Sequence, residues 1–200
     1  MSDERFSEED LAPSAEERRA VLLSRIDRSA TALAVLSVGI VIGGMVALGA
    51  CAAPFVFSLT PAPANGTAMG AAFARFDRIA IAGSVLLLAA EMIRTFLGRK
   101  SRRDASSRVR RLLAVAFAAC TSYAGLAITP AINGLHQSGV VRGEGVQGEQ
   151  LDAIHKKAEF LGKAELVIGA LLIGLHVFTV RAANEEETDF EAPLPPGPQD

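Results

Sequence analysis

The sequence predicts an all-α fold: a four-helix transmembrane bundle with both termini in the cytoplasm. Three observations carry that reading. Half of the 200 residues are hydrophobic and the mean hydropathy is +0.31, too apolar for an ordinary soluble domain of this size. The charges gather at residues 1–28, 94–111, 142–165 and 181–191 and leave apolar spans between them. The stretch from Gly98 to Arg111 carries seven basic residues against one acid. A short basic connection between two spans belongs on the cytoplasmic side by the positive-inside rule.

Residues 1–28 read as a cytoplasmic, interfacial amphipathic segment. Ser14-Ala-Glu-Glu17 fits a capping box, and Val21, Leu22 and Ile26 alternate with Arg18, Arg19, Arg25 and Arg28. A four-helix transmembrane domain follows over residues 29–181, with helices at about 30–57, 72–97, 112–132 and 152–180. From Ala30 to Leu59 there is no charged side chain, enough helix to cross a ~30 Å hydrocarbon core. Gly39, Gly43, Ala47, Ala50 and Pro54 fall within an arc of roughly 80° on this helix. That nearly bare face is the expected helix-packing surface, since small residues let backbones approach closely in lipid. Leu48-Gly-Ala-Cys51 resembles a lipoprotein cleavage box, but the apolar run before it exceeds the ~7–15 residues of a leader. Cys51 and Cys120 both sit in apolar spans and read as packing residues rather than a disulfide.

On the second helix Asp77, Ser84 and Glu91 are spaced by seven and share a face. An ionised carboxylate at mid-membrane costs ~2.5–3.5 kcal/mol, so Glu91 either serves an internal polar site or reaches Arg94 and the loop. The third helix gathers Ala118, Ser122, Gly125, Thr129 and Asn133 on one side. Pro130 repeats the position of Pro54, each with leucine five residues on, in Pro54-Phe-Val-Phe-Ser-Leu59 and Pro130-Ala-Ile-Asn-Gly-Leu135. Duplication of a helical hairpin and chance both account for so short a match. The fourth helix puts Asp152, His155, Glu159, Gly162, Glu165, Gly169 and His176 on one side, opposite Leu, Val and Ile. In a membrane such a stripe turns inward, towards partners or water. Residues 182–200 read as a disordered acidic, Pro-rich tail.

No catalytic motif is present, and no Cys pair or HExxH marks a metal site. Nucleic acid is an unsuitable partner, because the basic run has no interleaved aromatics and is pinned to the bilayer. The histidines remain. His155 forms an i, i+4 pair with Glu159, a helix stabiliser in the plainest reading. His136 ends helix three and is placed to approach His155. His176 lies about 31 Å along the helix from His155, so the two belong to separate sites. One candidate external polar site follows, formed by His155, Glu159, Asp77, Arg75, Arg78 and Asn133. A second, internal candidate comprises Glu91 and His176.

Several segments resemble the transmembrane-protein-205-like family, a bacterial multi-pass membrane domain of unknown function. They are Gly43-Gly44 with Ala53-Pro-Phe-Val-Phe57, Phe73-Ala-Arg-Phe-Asp-Arg78, Thr129-Pro-Ala-Ile-Asn133 and Leu151-Asp-Ala-Ile-His155. The layout is more remotely similar to copper-resistance D membrane domains and to four-helix haem-containing protoporphyrinogen oxidases. The resemblance implies an integral protein of the plasma membrane, the inner membrane in bacteria, without an established reaction. Three functions stay open. One is a small transport or resistance component with an internal polar path. Another is an assembly or scaffold subunit that binds a membrane protein or a second copy through the Gly face. The last is a redox module holding haem or copper through His155 with His136 or His176. The expectation is a protein without cofactor, leaning away from catalysis, whose certain partner is the lipid bilayer.

Overall fold

The computed structural model describes residues 14–97 and 105–189, with side chains to Thr179. Residues 1–13, 98–104 and 190–200 lie outside the described residues. With them go the start of the amphipathic segment, half of the basic connection and most of the expected tail.

Helix α1 (Ala15–Val46) begins on the capping box the sequence predicts. The Glu17 amide donates to Ser14 Oγ at 3.1 Å, and the Ser14 amide donates to Glu17 Oε2 at 2.6 Å. Two orphan donors of the first turn are thereby satisfied. The interfacial segment and the first span are one continuous helix. It widens into a π-helical segment at Ala47–Ala52 and resumes as α2 (Ala53–Leu59). Pro54 accounts for the widening: it has no amide hydrogen, and its ring crowds the carbonyl four residues back. The same device recurs around Pro130. Helix α4 (Ala105–Tyr123) passes through a π segment at Ala124–Ile128 into α5 (Thr129–Gln137). Both prolines stand two residues beyond a π segment, a recurrence in structure of the sequence match.

Between these rods runs α3 (Ala64–Leu97), and α6 (Gly145–Asp189) closes the chain. Helix α3 starts at Ala64 rather than near 72, because the Pro61 and Pro63 carbonyls accept the Asn65 and Thr67 amides and build a first turn. Helix α6 starts at Gly145 rather than 152, after a turn in which Gly139, Gly143 and Gly145 all take positive φ. It also continues past 180 to Asp189, through an Ala-Ala-Asn-Glu-Glu-Glu run that contains good helix formers.

The rods α1–α2, α3, α4–α5 and α6 are each long and apolar enough to cross a membrane. Each packs on its neighbours in order, and α6 returns to α1, closing a four-membered ring. At mid-height Val38, Val41, Leu87, Ala114, Phe117 and Leu172 form a fully enclosed core. Large apolar side chains such as Leu36, Ile40, Val85, Leu86, Val115 and Leu171 face outwards. Acyl chains make such a surface favourable, whereas water would make it an aggregation site.

The expected packing face of the first helix is corrected. Gly39, Gly43, Ala47 and Pro54 are exposed, and a Cβ added at Gly39 or Gly43 would meet nothing within 4 Å. The buried arc is Ala30, Ala34, Ser37, Val38 and Val41, centred about 160° round the helix from the Gly face. Both arcs are rich in small residues. The buried one also carries the valines that fill the core, and this decides which side turns in. The close approach on α1 is at Gly44, where a Cβ would overlap the Phe76 ring.

Candidate functional site

Two polar layers flank the apolar core. The first lies at the end holding Arg110 and the start of α4, and it engages every rod. Glu91 on α3 is 4% exposed. It accepts Arg110 Nε with both oxygens, at 2.9 and 3.0 Å. One turn on, Arg94 Nε donates to Asp27 Oδ1 of α1 at 3.0 Å, and its Nη1 donates to His176 Nδ1 of α6 at 2.9 Å. Because a guanidinium only donates, Nδ1 must accept, which puts the histidine proton on Nε2. That nitrogen lies 3.4 Å from Glu91 Oε1 without making a hydrogen bond. The internal pair read from the sequence, Glu91 and His176, is thus brought together. Both readings of Glu91 meet in it, since the carboxylate is internal and also lies 4.0 Å from Arg94. Sequence reasoning missed Asp27 and Arg110 as partners. The signal was there: each is the last charge but one before the apolar span of its own helix.

Towards the opposite end the rods diverge around a cavity of about 570 Å³. Its walls are mainly apolar, with Met45 and Phe57 from the first rod, Met69, Phe73 and Phe76 from α3, and Ile128 and Ile132 from the third rod. The π segments contribute Gly49 and Ala124. Deep in it, next to the core, stand Asp77, Thr121 and Glu165. Glu165 is 4% exposed and its Oε1 has no hydrogen-bond partner; Asp77 Oδ2 is likewise buried and unpartnered. The Thr121 side chain lies beside Glu165, and Thr129 beside Asp77. Gly125 makes room for Asp77, since a Cβ there would stand 3.0 Å from Asp77 Cβ.

Nearer the open end, His136 and His155 face each other with ring centroids 5.7 Å apart and planes tilted by 59°. A Cβ on Gly66 would come within 2.6 Å of the His136 ring, and one on Gly70 would overlap Asn133 Oδ1. The two glycines therefore let the third rod close on α3, and Asn133 Nδ2 donates to the Gly70 carbonyl at 3.2 Å. The basic groups of the mouth are paired: Arg142 Nε with Asp152 at 2.7 Å, and Lys163 with Glu159 at 2.7 Å.

Of the external candidates, the cavity lining unites His155, Asp77, Asn133 and Glu159. Arg75 and Arg78 are exposed on the far side of α3 and do not line it; the residue between them, Asp77, turns in, so its neighbours along the helix turn away. Glu159 is exposed and bonded to Lys163 rather than to His155, because lysine is the cation one turn further on. The expected approach of His136 to His155 is present, and His176 belongs to the other layer. Among the described residues no three His, Cys, Asp or Glu side chains converge as a metal site. Glu165 was placed on the inward stripe by periodicity but not singled out. Its signal was being an acid on that stripe with no base one turn away on the same face.

The family described as a domain of unknown function, DUF4149, matches residues 36–140, just over half of the chain. The match covers the first three rods from within α1 and leaves α6 outside. No curated protein and no solved structure matches, and neither the transmembrane-protein-205-like nor the copper-resistance D resemblance has a counterpart in these comparisons.

Proposed function

The chain belongs to the DUF4149 family, and from that premise we propose that this multi-pass membrane protein is a small transport or resistance component that holds a solute between its helices. One observation carries the reading: Asp77 and Glu165 bring unpartnered carboxylate oxygens to a mainly apolar cavity of about 570 Å³. Burying a carboxylate oxygen without a partner is costly, and a fold retains such groups where something else supplies the partner. The volume falls in the range of small-molecule sites. The core around Phe117, Leu87 and Leu172 and the ionic layer beyond it close the opposite end, so the arrangement suits a form open to one side and shut to the other. With the Arg-rich connection in the cytoplasm, the cavity faces outwards from the plasma membrane and both termini lie inside.

Counterflow in proteoliposomes tests the function. Vesicles holding purified protein, preloaded with one of a panel of amines, carboxylates, sugars or amino acids, should accumulate the labelled form of at least one above empty vesicles. Failure across the panel refutes transport. A second reading is favoured by the outward Gly39–Gly43–Ala47–Pro54 face: a scaffold subunit that packs on a membrane partner or a second copy. Crosslinking through a cysteine at Gly43 in native membranes checks it.

A further inference from the structure

We propose that the cavity binds an organic monocation, a protonated amine carried on an apolar or aromatic body. This rests on the solute-site reading above and names the ligand class. Charge pairing elsewhere in the bundle isolates the two acids. Glu91 has Arg110, Asp27 has Arg94, Asp152 has Arg142 and Lys156, and Glu159 has Lys163. Asp77 and Glu165 have no cation among the described residues. Glu165 is 96% buried and belongs to the cavity lining, and nothing donates to its buried Oε1.

The deep end therefore carries acceptors and negative charge with no built-in counterion. An anion entering it meets like charge in a medium of low dielectric. A neutral solute leaves the carboxylates unpaired. A bare inorganic cation needs about six oxygen ligands, and the surrounding walls are methionine, phenylalanine and isoleucine. An ammonium group meets every condition. Its N–H groups donate to the free oxygens, and Phe73 and Phe76 present rings suited to a cation. Its hydrocarbon body occupies the apolar remainder. Positive groups at the mouth are held by their own acids, so they do not compete for Asp77 or Glu165.

The test uses matched probes on the full-length protein in nanodiscs. Dansylcadaverine carries a primary ammonium, its N-acetyl derivative has the same body without charge, and dansylglycine is anionic. Environment-sensitive dansyl fluorescence is read against empty nanodiscs. Dansylcadaverine should bind at least tenfold more tightly than either control, and Glu165→Gln or Asp77→Asn should reduce its affinity by tenfold or more. Equal binding of the acetylated probe, preference for dansylglycine, or undiminished binding by Glu165→Gln overturns the proposal. Wild-type protein supplies a measurement independent of variant folding. Dicyclohexylcarbodiimide should modify Glu165, detected by peptide mass, and saturating dansylcadaverine should suppress that modification at least fivefold. Unchanged modification also overturns the proposal. The two failures are distinguishable: amine binding without counterflow removes the transport reading alone, while counterflow of an anion or sugar without amine binding removes this one alone.

Discussion

Cutting the Glu91–Arg110 pair from each side, and then from both, tests whether the ionic layer acts as one unit. Glu91→Leu leaves Arg110 without its bidentate acceptor and removes the carboxylate 4.0 Å from Arg94 and 3.4 Å from His176. Arg110→Met leaves Glu91 with Arg94, at 4.0 Å, as its nearest arginine among the described residues. Removing one partner of a buried pair costs about 3–5 kcal/mol, because a charge is left enclosed and unmatched. Glu91→Leu should sit at the upper end of that range, since it strands a full guanidinium and disturbs two further neighbours. For a chain of this length the loss corresponds to a fall in Tm of about 6–20 °C. The double variant replaces both charges with side chains of suitable size. Apolar replacement of a whole buried pair is often near neutral, so it should recover to within about 2 kcal/mol of wild type, with Asp27–Arg94–His176 still intact. Thermal unfolding of the four proteins in one detergent, followed by circular dichroism at matched helicity, gives the coupling energy directly. A double variant that loses the sum of the two single losses would refute the reasoning, for then the two charges contribute independently.

Further outcomes follow from other contacts. Gly44→Leu should lower thermal stability by about 1–3 kcal/mol more than Gly43→Leu, since only the former drives a side chain into Phe76; the same unfolding assay ranks them. Asn133→Ala should cost about 1 kcal/mol by deleting the bond to the Gly70 carbonyl, whereas Arg78→Ala, at an exposed position, should stay within about 0.5 kcal/mol. In a background lacking Cys51 and Cys120, a cysteine at Ser138 should react with an impermeant thiol reagent added to intact cells and one at Ser106 should not. Reversed labelling would invert the proposed orientation.

The number of spans was legible because hydrophobic length is a one-dimensional property: Ala30 to Leu59 has no charge, and the basic run from Arg99 to Arg111 separates two spans. The inward side of α6 was legible for a similar reason, as Asp152, His155, Gly162, Glu165 and His176 share one face and water is scarce in a membrane. The inward side of α1 was not. Its two small-residue arcs differ by valines rather than by charge, and in a helix apolar all round that difference shows only once Val38 and Val41 are seen filling the core. Partnerships were harder still. Glu159 sits one turn from both His155 and Lys163, and local sequence weighs those neighbours alike until the cavity draws the imidazole towards His136. Asp77 shows the converse. Flanked closely by Arg75 and Arg78 in the sequence, it reads as part of a paired cluster, yet helical geometry sends the arginines to the outer surface and leaves the acid alone inside.

The π segments at Ala47–Ala52 and Ala124–Ile128 make chain length itself a determinant of the cavity. A π turn accommodates one residue more than the α-helix around it, and one residue is worth about 100° of rotation. Were Ala47–Ala52 wound as regular α-helix without losing a residue, everything from Pro54 onwards would swing about its axis and carry Phe57 off the wall. Regular winding of Ala124–Ile128 at the same length would likewise turn Asn133 away from the Gly70 carbonyl and His136 away from Gly66, although neither side chain had changed. Chains one residue shorter in either stretch, wound regularly there, would therefore present the same walls beyond it. Aligning them without a gap at these two positions would compare side chains that never occupy the same place.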